Sequence, residues 1–150
     1  MDTLKTSYQT LLETGTTEPT TIAIELPPTI ARTLGLRLIA IGDGEAAIEF
    51  VADMGKHANP MGTLQGGVIC DVADCAIGCA HSAGLQQGEP YTSVDLAMNF
   101  SRPVFSGRIV ATASAQKVGR TLSRYVCDIT NHNGKLMAQV ASTVMTLRRC

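Results

Sequence analysis

Two aspartates, Asp71 and Asp74, interrupt the otherwise apolar run from Val68 to Ala80. Ionised carboxylates are rarely buried without a partner or a purpose, so the pair asks for an explanation. With Gly78 and His81 they recur at intervals of three, four and three residues, the spacing that puts side chains on one face of a helix. One reading makes this stripe the solvated side of an amphipathic helix. However, the stripe is narrow and holds glycine where a solvated helix prefers Lys, Glu or Gln, which favours a contact seam or cleft and a functional aspartate. Just upstream stand Gly66 and Gly67. The first N–H groups of a helix lack internal acceptors and carry the positive end of its dipole. Without side chains there, a carbonyl oxygen can approach them and be stabilised as an oxyanion; a plain turn is the other reading.

The two elements cannot meet on one carbonyl within a single chain. Eight residues separate Gly66 from Asp74, about 12 Å along a helix, whereas reacting atoms must come within about 3 Å. If both serve one reaction, they come from different subunits, and the chemistry predicts a dimer with sites at the seam.

These residues need a scaffold to position them. Residues 1–15 read as a short amphipathic helix with Leu4, Tyr8, Leu11 and Leu12 on one side, followed by the Thr-rich link "TGTTEPTT". "LPPTIARTLG" predicts a short helix opened by proline and stopped at Gly35. Two β-like runs then flank Gly42-Asp43-Gly44, a hairpin signal. After the loop "DMGKHANPMG", the long helix spans about 66–84 and is rich in Ala, Gly and Cys. The remainder reads as a meander of four strands, with Val94, Leu96, Met98 and Phe100 alternating against Ser93, Asp95, Ala97 and Asn99 in the first, and turns at Gly119-Arg120 and Asn133-Gly134. One long apolar helix among about six antiparallel strands packs most economically with a curved sheet wrapped around it, an α+β fold.

The 150 residues make one domain, with a net charge of −1 that gives no reason to expect nucleic acid or a membrane surface as partner. No apolar run nears the roughly 20 residues of a membrane span, and the N-terminus lacks the pattern of a secretory signal. Only 17% of residues are charged, in keeping with a surface partly consumed by self-association. Of the five cysteines, Cys75 and Cys79 share a helix face. No second Cys or His pair follows at zinc-like spacing, so no metal is expected, and the cysteines read as small apolar side chains in a reducing cytoplasm.

The segments "HANPMGTLQGGVICDVADCAIGCA", "YTSVDLAMNFSRPV" and "VGRT" resemble the hotdog-fold acyl-CoA thioesterases of the PaaI-like type, over about residues 36–147, with 1–35 as an N-terminal helical extension. The resemblance implies homodimers that pair again into tetramers, and hydrolysis of acyl-CoA without metal or organic cofactor. It implies that Asp74 activates water or attacks the acyl carbon itself. Gly66, with Gly67 as second candidate, would donate the oxyanion-hole N–H. Asn59 would orient the thioester or the water, and Ser93 matches a hydroxyl that lies beside the carboxylate in some relatives. The family's usual His-Gly-Gly is here Gln65-Gly66-Gly67; Gln65 can hydrogen-bond but cannot titrate near neutrality.

Other polar residues have less to do in this reading. Arg120, Lys117 and Arg102 are candidates for the CoA phosphates, Arg120 foremost. Asp71 takes a supporting structural role, His57 and His81 read as structural, and Asp95 is a less favoured alternative carboxylate. Two further functions stay open: a non-catalytic acyl-CoA binding or sensor protein, and a hotdog acyl-thioester dehydratase or hydratase, which would pair His with Glu or Asp.

Overall fold

The computed structural model describes residues 4–14, 27–86 and 89–148. Residues 15–21 of the Thr-rich link, the side chain of Leu4 and Cys150 lie outside the described residues. The order is α1 (Leu4–Thr14), α2 (Thr29–Leu34), β1 (Arg37–Gly42), β2 (Glu45–Ala52), α3 (Met54–His57), α4 (Gly66–Ser82), β3 (Tyr91–Phe100), β4 (Gly107–Lys117), β5 (Leu122–Asn131) and β6 (Leu136–Thr146). The six strands form one sheet in the order β1-β2-β4-β5-β6-β3, antiparallel at every pairing.

The helix α4 packs chiefly against β2, β4 and β5 in the middle of that sheet. Its faces follow the apolar periodicity: Ile69, Val72, Ala73, Ala76, Ile77 and Ala80 are buried. They meet Phe50, Ile109, Cys127, Ile129 and Val140 from the strands in one core. The small residues of α4 allow that close packing, and the large strand side chains fill the space they leave. Where the sequence reads as a loop after β2, one turn of helix forms instead. The Asp53 carboxylate accepts the Gly55 N–H at 2.8 Å and caps α3, the satisfaction a short helix needs at its start.

The decisive departure from the sequence pattern is in β3. Its register against β6 slips between Ser93 and Asp95, so one extra residue is accommodated and side-chain parity reverses there. Ser93 lies opposite Val144, Leu96 opposite Ser142 and Met98 opposite Val140, and all three β6 partners are buried. Ser93 therefore shares the inner face with Leu96 and Met98, while Val94, expected among them, is turned outward and 54% exposed. Asp95 holds the irregularity in place. Its Oδ1 accepts the Thr143 N–H at 2.7 Å, and its carbonyl accepts the Ser142 hydroxyl at 2.8 Å.

Ile77 sits fully buried on the α4 face that meets the sheet. Ile77→Ala is expected to cost about 2–5 kcal/mol through lost burial and a residual cavity, measured by urea unfolding.

Candidate active site

Three contacts tie β3 along α4, running antiparallel to it. At the helix start, a Cβ on Gly66 would come within 2.8 Å of the Phe100 ring, so glycine is what lets the ring lie there. Further along, the Ser93 hydroxyl donates to Asp74 Oδ1 at 3.0 Å. At the third point, a Cβ on Gly78 would lie 2.9 Å from the Tyr91 hydroxyl. The glycine in the stripe thus answers to Tyr91, and the stripe is no continuous solvent face. Asp71 is exposed, Asp74 and Gly78 are half-buried and His81 is buried.

The oxyanion candidates lie at the start of α4. Neither the Gly66 nor the Gly67 N–H has an acceptor among the described residues. Gly67 is exposed, with open space where a Cβ would stand. Gln65 occupies the N-cap without a capping side-chain bond, and its side chain is exposed. Its N–H donates to the His57 carbonyl at 2.9 Å. His57 is itself tied, its Nδ1 accepting the Asp53 N–H at 3.1 Å and its ring resting on Phe50.

Asn59 shapes the loop before α4. Its Oδ1 accepts the N–H groups of Met61 and Thr63, and its Nδ2 donates to Thr63 Oγ1 at 2.8 Å. One Nδ2 hydrogen stays uncommitted. Asn59, Gly66, Phe100 and Arg102 line one cleft of about 420 Å³. Arg102 is braced there by an Nη1 bond of 2.8 Å to the Leu136 carbonyl.

Asp74 opens instead onto a second cleft of about 180 Å³, mostly apolar, that shares no lining residue with the first. Among the described residues, Asp74 is its one carboxylate. Cys75 and Cys79 stand beside it. Burial, and secondarily the Asp74 charge, pushes the Cys75 thiol up to about 11, so it stays protonated and behaves as a small apolar group rather than a nucleophile. Lys117 and Arg120 line neither cleft. Register places their turn at the opposite end of the sheet from Arg102, since Leu122 pairs with Met145 and Thr146 with Tyr91, whereas Arg102 follows Phe100. Asp95 is spent on the β3 bulge.

Sequence periodicity alone had no means to find the Phe100 and Tyr91 contacts, which depend on how the strand crosses the helix. Tyr8, visible on the apolar side of α1, reaches Ser82 Oγ at 2.7 Å. Among the described residues, no three His, Cys, Asp or Glu side chains converge to hold a metal ion, and no helix is long and apolar enough to cross a membrane.

A curved antiparallel sheet around one long helix defines a hotdog fold. The family model described as the thioesterase superfamily matches residues 61–138, and the chain belongs to that family of thioester hydrolases. Human acyl-coenzyme A thioesterase 13 is 34% identical over 115 residues, covering 72% of this chain and 78% of the human protein. Among solved structures, a phenylacetic acid degradation-related protein of Ralstonia eutropha superposes with a TM-score of 0.77 at 26% identity, over 93% of this chain and 98% of its own. A variant of the phenylacetic acid degradation protein PaaI of Thermus thermophilus gives 0.72 at 28% identity, over 79% and 98%.

At the far end of α4, His81 is buried with Nδ1 3.1 Å from the Tyr125 hydroxyl and Nε2 3.0 Å from Thr146 Oγ1. The Tyr91 ring meets it edge-on. Burial lowers the His81 pKa from its ordinary value, only partly opposed by Glu89. The unfolded chain therefore takes up this proton more readily than the folded one. The contribution of His81 to stability is present above about pH 6.5 and is lost as pH falls through the lower folded value. Thermal unfolding between pH 7.5 and 5 is expected to show this loss, with a flatter dependence in His81→Gln.

Proposed function

We propose that the protein hydrolyses acyl-CoA thioesters to the free acid and CoA, at sites assembled from two copies of the chain. The observation that carries this reading is the Ser93–Asp74 hydrogen bond at the edge of a mostly apolar cleft. Ser93 donates to one carboxylate oxygen, leaving the other to take a proton from water. That water attacks the carbonyl carbon, and negative charge gathers on the carbonyl oxygen. The Gly66 N–H of the second copy stabilises it, with Gly67 as the alternative donor. The C–S bond then breaks; a thiol of pKa near 8.5 leaves without a strong general acid. Direct attack by Asp74 on the carbonyl carbon uses the same arrangement.

The edge strand β3 supports the pairing of two copies. It is ten residues long and, among the described residues, has no strand on its outer side, and Phe100 is 58% exposed. Such an edge invites pairing with another strand. If two β3 strands pair about a two-fold axis between Leu96 and Ala97, Ser93 of one copy lies across from Phe100 of the other, beside its Gly66. Asp74 and the second Gly66 N–H then face one carbonyl, which the 12 Å within a chain forbids. Asn59 and Gln65 line the approach from the Gly66 side. Within a chain Arg102 lies at the opposite end of the sheet from Lys117 and Arg120, so the phosphates of CoA draw on Arg102 of one copy and on Lys117 and Arg120 of the other, whose sheet ends the antiparallel pairing brings together. The dimers pair again into tetramers. Neither metal nor organic cofactor enters the reaction, and the free thiols at Cys70, Cys75, Cys79 and Cys127 suit a cytoplasmic location.

Asp74→Asn keeps the shape of the side chain and removes the base. It is expected to lower kcat by at least about 100-fold with unchanged circular dichroism, read as free-thiol release from a panel of acyl-CoAs. Ser93→Ala should cost less, about tenfold, because Asp74 remains. Hydrolysis near the wild-type rate by Asp74→Asn would overturn the assignment.

A further inference from the structure

The cleft beside Asp74 is closed by residues that precede the sheet. Tyr8 and Leu11 of α1 and Ala31 of α2 line it together with Leu38 and Ile48 of the sheet's first strands and with Tyr91 of β3. Tyr8 is only 5% exposed and is held in place. Its hydroxyl lies 2.7 Å from Ser82 Oγ, and Ser82 donates its own hydrogen to the Gly78 carbonyl at 2.7 Å, which leaves Tyr8 as the donor. A helix of eleven residues is marginal alone, so this bond and the packing of Tyr8 with Ala83, Leu38 and Cys79 dock α1 on the end of the cleft.

From this arrangement we infer that α1 is the end wall of the acyl pocket and that Tyr8 sets the length of acyl group the site accepts. The inference rests on the hydrolase reading and deepens it. A cleft of about 180 Å³ is close in size to an apolar cavity of about 150 Å³ that takes benzene. It fits a compact apolar group of about six carbons, and a hexadecanoyl chain would have to pass through Tyr8. The lining offers such a group aliphatic and protonated thiol surfaces, and among the described residues Asp74 is the one charged side chain in it.

The test is kcat/KM on straight-chain acyl-CoAs from butanoyl to hexadecanoyl, for wild type, Tyr8→Ala, Tyr8→Phe and Leu11→Ala. Wild type should peak near hexanoyl and fall at least about tenfold by hexadecanoyl, since a single misfitting methylene can cost that much. Tyr8→Ala should raise the decanoyl-to-hexanoyl ratio at least about fivefold, whether it enlarges the pocket or undocks α1. Leu11→Ala should move it the same way, and Tyr8→Phe, which keeps the ring, should keep the short-chain preference. Wild-type turnover with an unchanged ratio in both alanine variants overturns the end-wall inference and leaves the hydrolase reading standing. No thiol release from any acyl-CoA overturns the hydrolase reading, and this inference with it.

Discussion

The close approach of β3 to α4 is the constraint on which the site depends. Phe100 rests on Gly66, Ser93 binds Asp74 and Tyr91 presses on Gly78. Two of the three contacts need a glycine on the helix, and the third needs a serine turned inward. A strand with ordinary alternation would send Ser93 to solvent and Val94 to the helix. The bulge between Ser93 and Asp95, stabilised by the Asp95 bonds to β6, reverses that parity over the strand's first residues only. One inserted residue thus decides whether Asp74 has a partner.

The same contacts keep the two chemical elements apart. Gly66 with Asn59 and Arg102 belongs to one cleft and Asp74 to another, and in the proposed reading each is one half of a site. In the proposed dimer, an antiparallel pairing of identical edge strands exchanges the ends of β3 and brings unlike halves together. Catalysis and assembly then draw on one surface, and a two-fold interface produces two equal sites.

Most of the architecture was legible in the sequence because its signals are local. The six strands, the long helix, the hairpin at Gly42-Asp43-Gly44 and the Gly35 stop all follow from periodicity and turn chemistry, as the φ of +69° at Gly35 and +70° at Gly44 shows. The distance between Gly66 and Asp74 was legible too, since helix rise is constant. What escaped, the short α3 turn with its local cap aside, depends on contacts between segments distant in sequence. The α3 turn is set by one Asp53 cap, the β3 bulge is invisible to an alternation count, and His81 belongs to the stripe by spacing yet is buried against Tyr125 and Thr146. Resemblance supplied Ser93 beside the carboxylate, a contact that the strand pattern alone argued against.

Complementation between two inactive chains tests the shared site most directly. Gly66→Pro removes the N–H while suiting a first helical position after the extended backbone of Gln65 at ψ 129°; because its ring takes space that Phe100 occupies, native mass spectrometry first confirms that the variant still dimerises. Asp74→Asn removes the carboxylate. Coexpressed, the two chains should form mixed dimers with one intact site each, recovering about a quarter of wild-type activity at random pairing. A coexpressed mixture no more active than either variant alone would contradict a site built from two chains.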